Sequence, residues 1–285
     1  MNHVTCGTAA KKLRAIPADS IDCVVTSPPY FQQRDYGEKS QIGNEKTPLE
    51  YVDSIVKIFA EVQRVLKPSG TCWLNLGDKY RRGNLMGMPW RVALELMDHQ
   101  WLLRNEIVWH KPNAMPSSAK SRLTVDHETI FLLVKSADYF YDADAIREPH
   151  VTFSDQSKMK GGRSHFGKRG GTPEKGKNSG SSNMHDARWD QAFHPQGRNK
   201  RTVWSIPLSK FRDAHFAVFP PALVETCIKA GCPKDGVVLD PFCGSGTTLL
   251  VAKSLNRNYA GIDCSKEYCK MSRRRLKEAD QTTQL

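Results

Sequence analysis

The sequence predicts an α/β fold built on a doubly wound, mostly parallel sheet and interrupted by one basic, flexible insertion. Three observations carry that expectation. Short apolar runs alternate with stretches of helical period from residue 22 to about 146, and again from 203 onward, the pattern of strands joined by helical crossovers. The run Asp22-Cys-Val-Val-Thr26 is apolar through its middle rather than alternating, as a strand covered on both faces must be. Between the two periodic regions, residues 151–202 are rich in Gly, Ser, Asn, Lys and Arg and hold few aliphatics, so they cannot fold a core alone.

The elements follow in order. After strand 22–26, Pro48 to Leu66 repeats apolar residues every three or four positions, and Thr47, Pro48 and Glu50 supply a capping box with proline at the first helical position. Pro68-Ser-Gly70 should turn the chain into a strand over Thr71–Leu76. A helix over Met88–Met97 and strands over Asn105–Trp109 and Glu128–Val134 complete the first region. Beyond the insertion, Val203-Trp-Ser-Ile206 resumes periodic structure. Pro221–Ala230, Gly246–Leu255 and Lys266–Lys277 read as helices, with strands over Gly236–Asp240 and Tyr259–Asp263 between them. The expected organisation is one domain in two halves, 1–150 and 203–285, split by the 151–202 insertion.

No run approaches the roughly 20 apolar residues of a membrane span, and the first residues (MNHVTCGTAAKKL) lack the apolar core of a secretory signal. The expectation is a cytoplasmic protein with no membrane partner. The eight cysteines are scattered through apolar segments. The Cys227/Cys232 and Cys264/Cys269 spacings have no histidine pair beside them, so neither disulfides nor a metal are expected. Net charge is +12, and residues 151–202 carry eleven basic against four acidic side chains. A polyanion is the first partner to consider. Lys158, Lys160, Arg163, Lys168, Arg169, Arg198, Lys200 and Arg201 are the candidate contacts.

Two motifs carry chemistry. In Val237-Val-Leu-Asp-Pro-Phe-Cys-Gly-Ser-Gly246 a strand ends at Asp240 and a glycine turn leads into a helix, which lets a ligand approach the backbone beside free helix N–H groups. No Gly-Lys-Ser/Thr follows, and the Gly-x-Gly-x-x-Gly pattern is incomplete, so this is neither a mononucleotide P-loop nor a full dinucleotide fingerprint. Asp263, ending the next strand, is placed to accept hydrogen bonds from ribose hydroxyls. Together these features suit a nucleoside of little negative charge, although a glycine turn alone is often only a turn. The second motif, Thr26-Ser-Pro-Pro-Tyr30, is by itself a proline-rich strand end.

The pair TSPPY and DPFCGSG closely resembles the signature of the β-class DNA amino-methyltransferases, with the catalytic motif first, a variable region next and the cofactor motif last. Outside 151–202 the resemblance covers nearly the whole chain. It implies a Rossmann-like methyltransferase fold, double-stranded DNA as substrate and methyl transfer from S-adenosyl-L-methionine to N4 of cytosine or N6 of adenine. It also implies that 151–202 is the target-recognition segment. The Ser27 side chain and the Pro28 carbonyl would accept hydrogen bonds from the target amine, Pro28 and Pro29 would stiffen the backbone, and Tyr30 would stack on an everted base. Asp240, Pro241, Phe242, Gly244, Gly246 and Thr248 would line the cofactor, with Asp263 on its ribose. Phe216, in His215-Phe-Ala-Val-Phe-Pro220, would border the same pocket or pack in the core. Serine at position 27 favours cytosine slightly. A restriction endonuclease partner and a homodimer are both compatible with the class.

Other segments stay open at this level. Asn75 and Asp78 either position a ligand or shape a turn, and His110-Lys-Pro-Asn113 could face DNA. His127-Glu128 resembles a further segment of the family. Trp189, Phe193 and Trp204 either intercalate or anchor the insertion. An RNA or protein amide methyltransferase, which usually has the opposite motif order, a non-catalytic DNA-binding module and a nucleotide hydrolase are the rival readings.

Overall fold

The computed structural model describes residues 2–34, 37, 41–149, 196–208 and 220–282. The chain divides into two units, 1–142 with 201–285, and 143–200. The first is built on an eight-stranded sheet in the order β1-β10-β9-β2-β3-β7-β6-β8. Its strands are β1 (His3–Cys6), β2 (Ile21–Thr26), β3 (Leu66–Leu76), β6 (Leu102–His110), β7 (His127–Val134), β8 (Val203–Ser205), β9 (Val237–Asp240) and β10 (Asn258–Asp263). A separate hairpin pairs β4 (Tyr80–Arg81) with β5 (Asn84–Leu85). Among the described strands of the eight-stranded sheet, only β7 runs against its neighbours.

All six residues of β2 are buried, because helices cover both faces of the sheet and a central strand has no solvent side. The longest helix, α2 (Pro48–Val65), presents Tyr51, Val52, Ile55, Phe59 and Val62 along one stripe to the core. Its first turn carries the expected capping box: the Thr47 side chain accepts from the Glu50 N–H, and the Glu50 carboxylate accepts from the Thr47 N–H. With α2 on this face lie the short α1 (Ala9–Lys12) and α3 (Met88–Asp98), packed on Val24, Leu74, Phe131 and Leu239. On the other face α4 (Pro221–Gly231) meets Thr71, whose hydroxyl donates to the Gly231 carbonyl. The helices α5 (Thr247–Ser254) and α6 (Lys266–Thr282) follow β9 and β10.

The two halves of the sheet are tied where β2 meets β9. Asp22 accepts the Val237 backbone N–H at 2.8 Å and pairs with Lys67 at 2.7 Å. Two local expectations need correction. The Pro68-Ser-Gly70 turn is absent: β3 runs unbroken from Leu66 to Leu76, and a register shift opposite Ile21–Cys23 absorbs the proline, as bulges do. The edge strand β1 gave no signal, since only Val4 of its four residues is buried.

In the second unit, a single 3-10 turn over Asp144–Ile146 and a backbone bridge between Glu148 and Arg198 are described. The sequence expectations for Lys158, Lys160, Arg163, Lys168, Arg169, Trp189, Phe193 and Phe216 lie outside the described residues.

Candidate active site

Strands β2 and β9 lie side by side and parallel, with Val24 opposite Leu239. From this pair the chain order diverges, to β3 on one side and to β10 and β1 on the other. Ligands in open α/β sheets bind outside the carboxyl ends of the strands at such a divergence. A cleft of about 280 Å³ opens here. It is lined by Thr8–Ala10, Ser27–Tyr30, Asn75, Lys111, Glu128, the turn 240–245, Thr247, Thr248, Asp263–Ser265 and Tyr268. The two sequence motifs, more than 200 residues apart, therefore share one cavity. Thr26 joins them directly by donating its hydroxyl to Asp240 Oδ1 at 2.7 Å.

On the side of β2, the strand ends at Thr26 and the next four residues project past the sheet edge. Pro28 is buried and Pro29 half-buried, and the Pro29 carbonyl accepts from the Tyr51 hydroxyl at 3.0 Å. Ser27 Oγ donates to Tyr30 Oη at 3.0 Å. Tyr30 in turn donates to Glu128 Oε2 at 2.6 Å. Asn75 Nδ2 reaches Tyr30 Oη and Glu128 Oε2, each at 2.7 Å. Lys111 pairs with the other Glu128 oxygen and sits 4.6 Å from the Trp109 ring centre. Burial, and then the Glu128 charge, push the Tyr30 phenol well above its ordinary pKa, so it stays a neutral donor. The Tyr30 ring lies against Gly77, where an added Cβ would come within 2.5 Å of Cε2.

This cluster follows from strand direction. Because β7 is antiparallel to β3, it begins where β3 ends, with Asn75 opposite Ile130 and Leu76 opposite Thr129. Its first residues therefore stand at the functional edge of the sheet. On the far side Trp109 faces Glu128, which brings Lys111 to the same edge. Sequence reading marked Asn75 as a ligand or turn residue, the His127-Glu128 pair as a family segment, Lys111 within a run that could face DNA and Thr26 within its motif, but it gave none of these contacts. No local spacing could reveal a contact between Tyr30 and Glu128, 98 residues apart.

On the side of β9, Asp240 is 3% exposed and accepts three hydrogen bonds: Thr26 Oγ1 and the Phe242 N–H at Oδ1, and Thr248 Oγ1 at Oδ2. Burial raises its pKa to about 6, opposed by the hydrogen bonds from Thr248, Thr26 and Phe242. Its carboxylate thus holds the turn and the tip of β2 together. Asp263 Oδ2 accepts the Gly244 N–H and Oδ1 the Ser265 N–H, both at 2.8 Å. Gly246 has φ +82°, and an added Cβ would lie 2.1 Å from Ser272 Oγ, so glycine is required there. At Gly244, with φ +48°, an added Cβ would meet nothing within 4 Å. The turn therefore faces open space.

The residues fit an adenosyl sulfonium donor. The carboxylates of Asp240 and Asp263 flank the glycine turn, and the one lysine lining the cleft among the described residues, Lys111, is paired with Glu128, which suits a ligand carrying positive charge. Thr247 Oγ1 and Asn75 Oδ1, both of residues lining the cleft, are buried without a hydrogen-bond partner among the described residues. Such groups normally find one.

The remaining sequence candidates have structural duties. Asp78 accepts from the Lys79, Gly87 and Met88 N–H groups, pinning the β4–β5 hairpin to the start of α3. Asn113 is bonded both ways to the Leu208 backbone. His110 faces Ser205 and Asp126. Trp204 is buried, 6.2 Å from Trp73, and anchors β8 to the core. Arg198 and Lys200 share the Glu148 carboxylate at 3.3 and 3.2 Å, while Arg201 is exposed.

An open α/β sheet with a glycine turn at its switch point, facing a polar strand tip across one cleft, is the arrangement of a protein that binds a nucleoside-type ligand beside a second substrate. The family model described as DNA methylase matches residues 21–274. The type II methyltransferase M.XycI of Xanthomonas campestris pv. cyanopsidis is 39% identical over 95% of this chain and 86% of its own length. M.Cfr9I of Citrobacter freundii is 37% identical, covering 96% and 87%. Among solved structures, the cytosine-N4-specific PvuII DNA methyltransferase superposes with a TM-score of 0.70 at 22% identity, over 97% of this chain and 86% of that one. The chain belongs to the DNA methylase family and is an S-adenosylmethionine-dependent DNA amino-methyltransferase.

Proposed function

We propose that this enzyme methylates N4 of a cytosine everted from duplex DNA at a specific sequence, with residues 151–202 carrying the sequence readout. The observation that carries the reading is the position of Ser27. Ser27 lines the cleft shared with the Asp240–Gly246 turn, and its one hydroxyl hydrogen is engaged by Tyr30 Oη, which leaves its oxygen as an acceptor. An exocyclic amine is a poor nucleophile because its lone pair is delocalised into the ring. Acceptors that hold its hydrogens draw the nitrogen toward tetrahedral geometry and free that pair. Ser27 Oγ is one acceptor. The Pro28 carbonyl is the other, and among the described residues it accepts no hydrogen bond. The Tyr30 ring, which lines the cleft, stacks on the base, offsetting part of the unstacking cost of a few kcal/mol.

S-adenosylmethionine supplies the methyl group on an electron-poor sulfur. The chain holds that donor with the 240–246 turn, Thr248 and Asp263, the last bearing on its ribose. Serine rather than a carboxylate at position 27 favours cytosine, as does the cytosine-N4 specificity of the PvuII enzyme. The type II relatives favour a restriction endonuclease of the same site as biological partner, and action on cellular DNA favours the cytoplasm. Among the described residues no helix is long and apolar enough to cross a membrane. A homodimer is tested by sedimentation.

The deciding experiment is mass spectrometry of nucleosides from DNA of cells expressing the chain, with sequencing of the modified positions. N4-methylcytidine in one sequence context is expected. N6-methyladenosine alone would overturn the choice of base, and methyl groups without any sequence context would overturn the recognition reading.

A further inference from the structure

The hydrogens in the cluster behind Ser27 can be assigned by elimination. Glu128 is paired with Lys111, both side chains being about 85% buried by their 16% and 15% exposures, so the carboxylate is an acceptor only. The hydrogen in the 2.6 Å contact between Tyr30 and Glu128 must therefore come from Tyr30. Tyr30 has no second hydrogen. The 3.0 Å contact between Ser27 and Tyr30 is then made by the hydrogen of Ser27. Asn75 cannot reverse this order, because its two amide hydrogens go to Tyr30 Oη and Glu128 Oε2 and its Nδ2 stands 3.5 Å from Ser27 Oγ. What remains on Ser27, facing the cleft, is lone pairs alone.

We propose that Glu128 is a positioning residue which, acting through Tyr30, fixes the direction of the Ser27 hydroxyl so that its oxygen can only accept a hydrogen bond from the target amine. A serine hydroxyl is otherwise free to turn either way, and in half of its useful orientations it would point a hydrogen at the amine. The carboxylate on β7 removes that choice before the base arrives, which is preorganisation of a dipole and costs nothing at the moment of reaction. The assignment rests on the reading of Ser27 as the amine's acceptor, and it extends the site to a strand that carries neither sequence motif.

Glu128→Gln tests it, because the amide has the same shape. Lys111 holds the amide oxygen, which turns the amide N–H toward Tyr30 and Asn75, and the Asn75 amide turns over so that its Oδ1, unpartnered among the described residues, replaces Nδ2 there as an acceptor. Tyr30 then receives rather than gives, donates to Ser27, and the Ser27 hydrogen is driven into the cleft.

The readouts are single-turnover methyl transfer to plasmid DNA from cells lacking the enzyme, and calorimetric affinity for S-adenosylmethionine. In Glu128→Gln the methyl-transfer rate should fall about ten- to a hundredfold, the range for one preorganised hydrogen bond. Cofactor affinity should hold within about twofold, since no Glu128 atom bonds the cofactor turn. In a Tyr30→Phe background, where the relay is already cut, Glu128→Gln should cost nothing more. Should the lone Lys111 charge prevent folding, Glu128→Gln with Lys111→Met removes both charges, and its rate should match Tyr30→Phe. Wild-type rate in Glu128→Gln beside a slow Ser27→Ala would overturn the relay alone. Wild-type rate in Ser27→Ala would overturn the acceptor reading beneath it. Losses that multiply in the double variant, or a fall in cofactor affinity matching the fall in rate, would assign Glu128 a role that does not pass through Tyr30.

Discussion

Thr26→Val removes one hydroxyl and keeps the shape of a side chain that is fully buried. The lost bond is the 2.7 Å donation to Asp240 Oδ1, leaving that carboxylate the Phe242 N–H and Thr248 hydroxyl. A hydrogen bond to a charged group contributes about 1.5–3 kcal/mol, and to a neutral one about 0.5–1.5 kcal/mol. Which value applies depends on pH. The Asp240 pKa rises from 3.8 to about 6 on folding, so between those values the folded chain holds more proton than the unfolded one. Its contribution to stability is complete below the lower value and is lost as pH rises through the upper one, a difference of roughly 3 kcal/mol. Removing the Thr26 donor weakens the charged form most. At pH 8 the variant should lose about 2 kcal/mol, or roughly 4–8 °C in Tm, and at pH 5 about half of that. Differential scanning calorimetry at the two pH values measures both. Equal losses at pH 5 and 8, or none at pH 8, would refute the view of Asp240 as a buried carboxylate whose charge is held by these donors. The same substitution removes the side-chain hydrogen bond that joins the two motifs, so methyl transfer should slow by about tenfold at neutral pH.

Three further outcomes are expected. Gly246→Ala places a methyl 2.1 Å from Ser272 Oγ at φ +82°, and should cost about 2–4 kcal/mol by thermal unfolding together with most of the affinity for S-adenosylmethionine. In Gly77→Ala the new methyl must displace the Tyr30 ring, so single-turnover transfer should fall about tenfold while calorimetric cofactor affinity is kept. Asp263→Ala releases the Gly244 and Ser265 N–H groups, and should weaken cofactor binding about tenfold or more, with KM for DNA little changed.

Both motifs, most of the sheet and the capping box at Thr47 were legible in the sequence, because each depends on residues adjacent in the chain. Strand burial, helical period, glycine turns and proline stiffness are local properties, and the chain writes them in order. The turn expected at Pro68-Ser-Gly70 failed for a tertiary reason: pairing with β2 holds the segment extended through an irregular register. Asp240 and Asp263 were found as positions, but their partners were not, since the Thr26 hydroxyl is 214 residues from Asp240.

What the sequence determined by itself is the chemistry carried at each strand tip: a serine before two prolines, and two carboxylates around a glycine turn. Tertiary structure alone decided which tips meet. The reversal of β7 puts Glu128 and Lys111 at the edge where β2 and β3 end, and sheet order sets β9 beside β2. The physical reason is that hydrogen-bond direction in the Ser27–Tyr30–Glu128 chain depends on which strands are neighbours and which way they run, and neither is a property of any short stretch of residues.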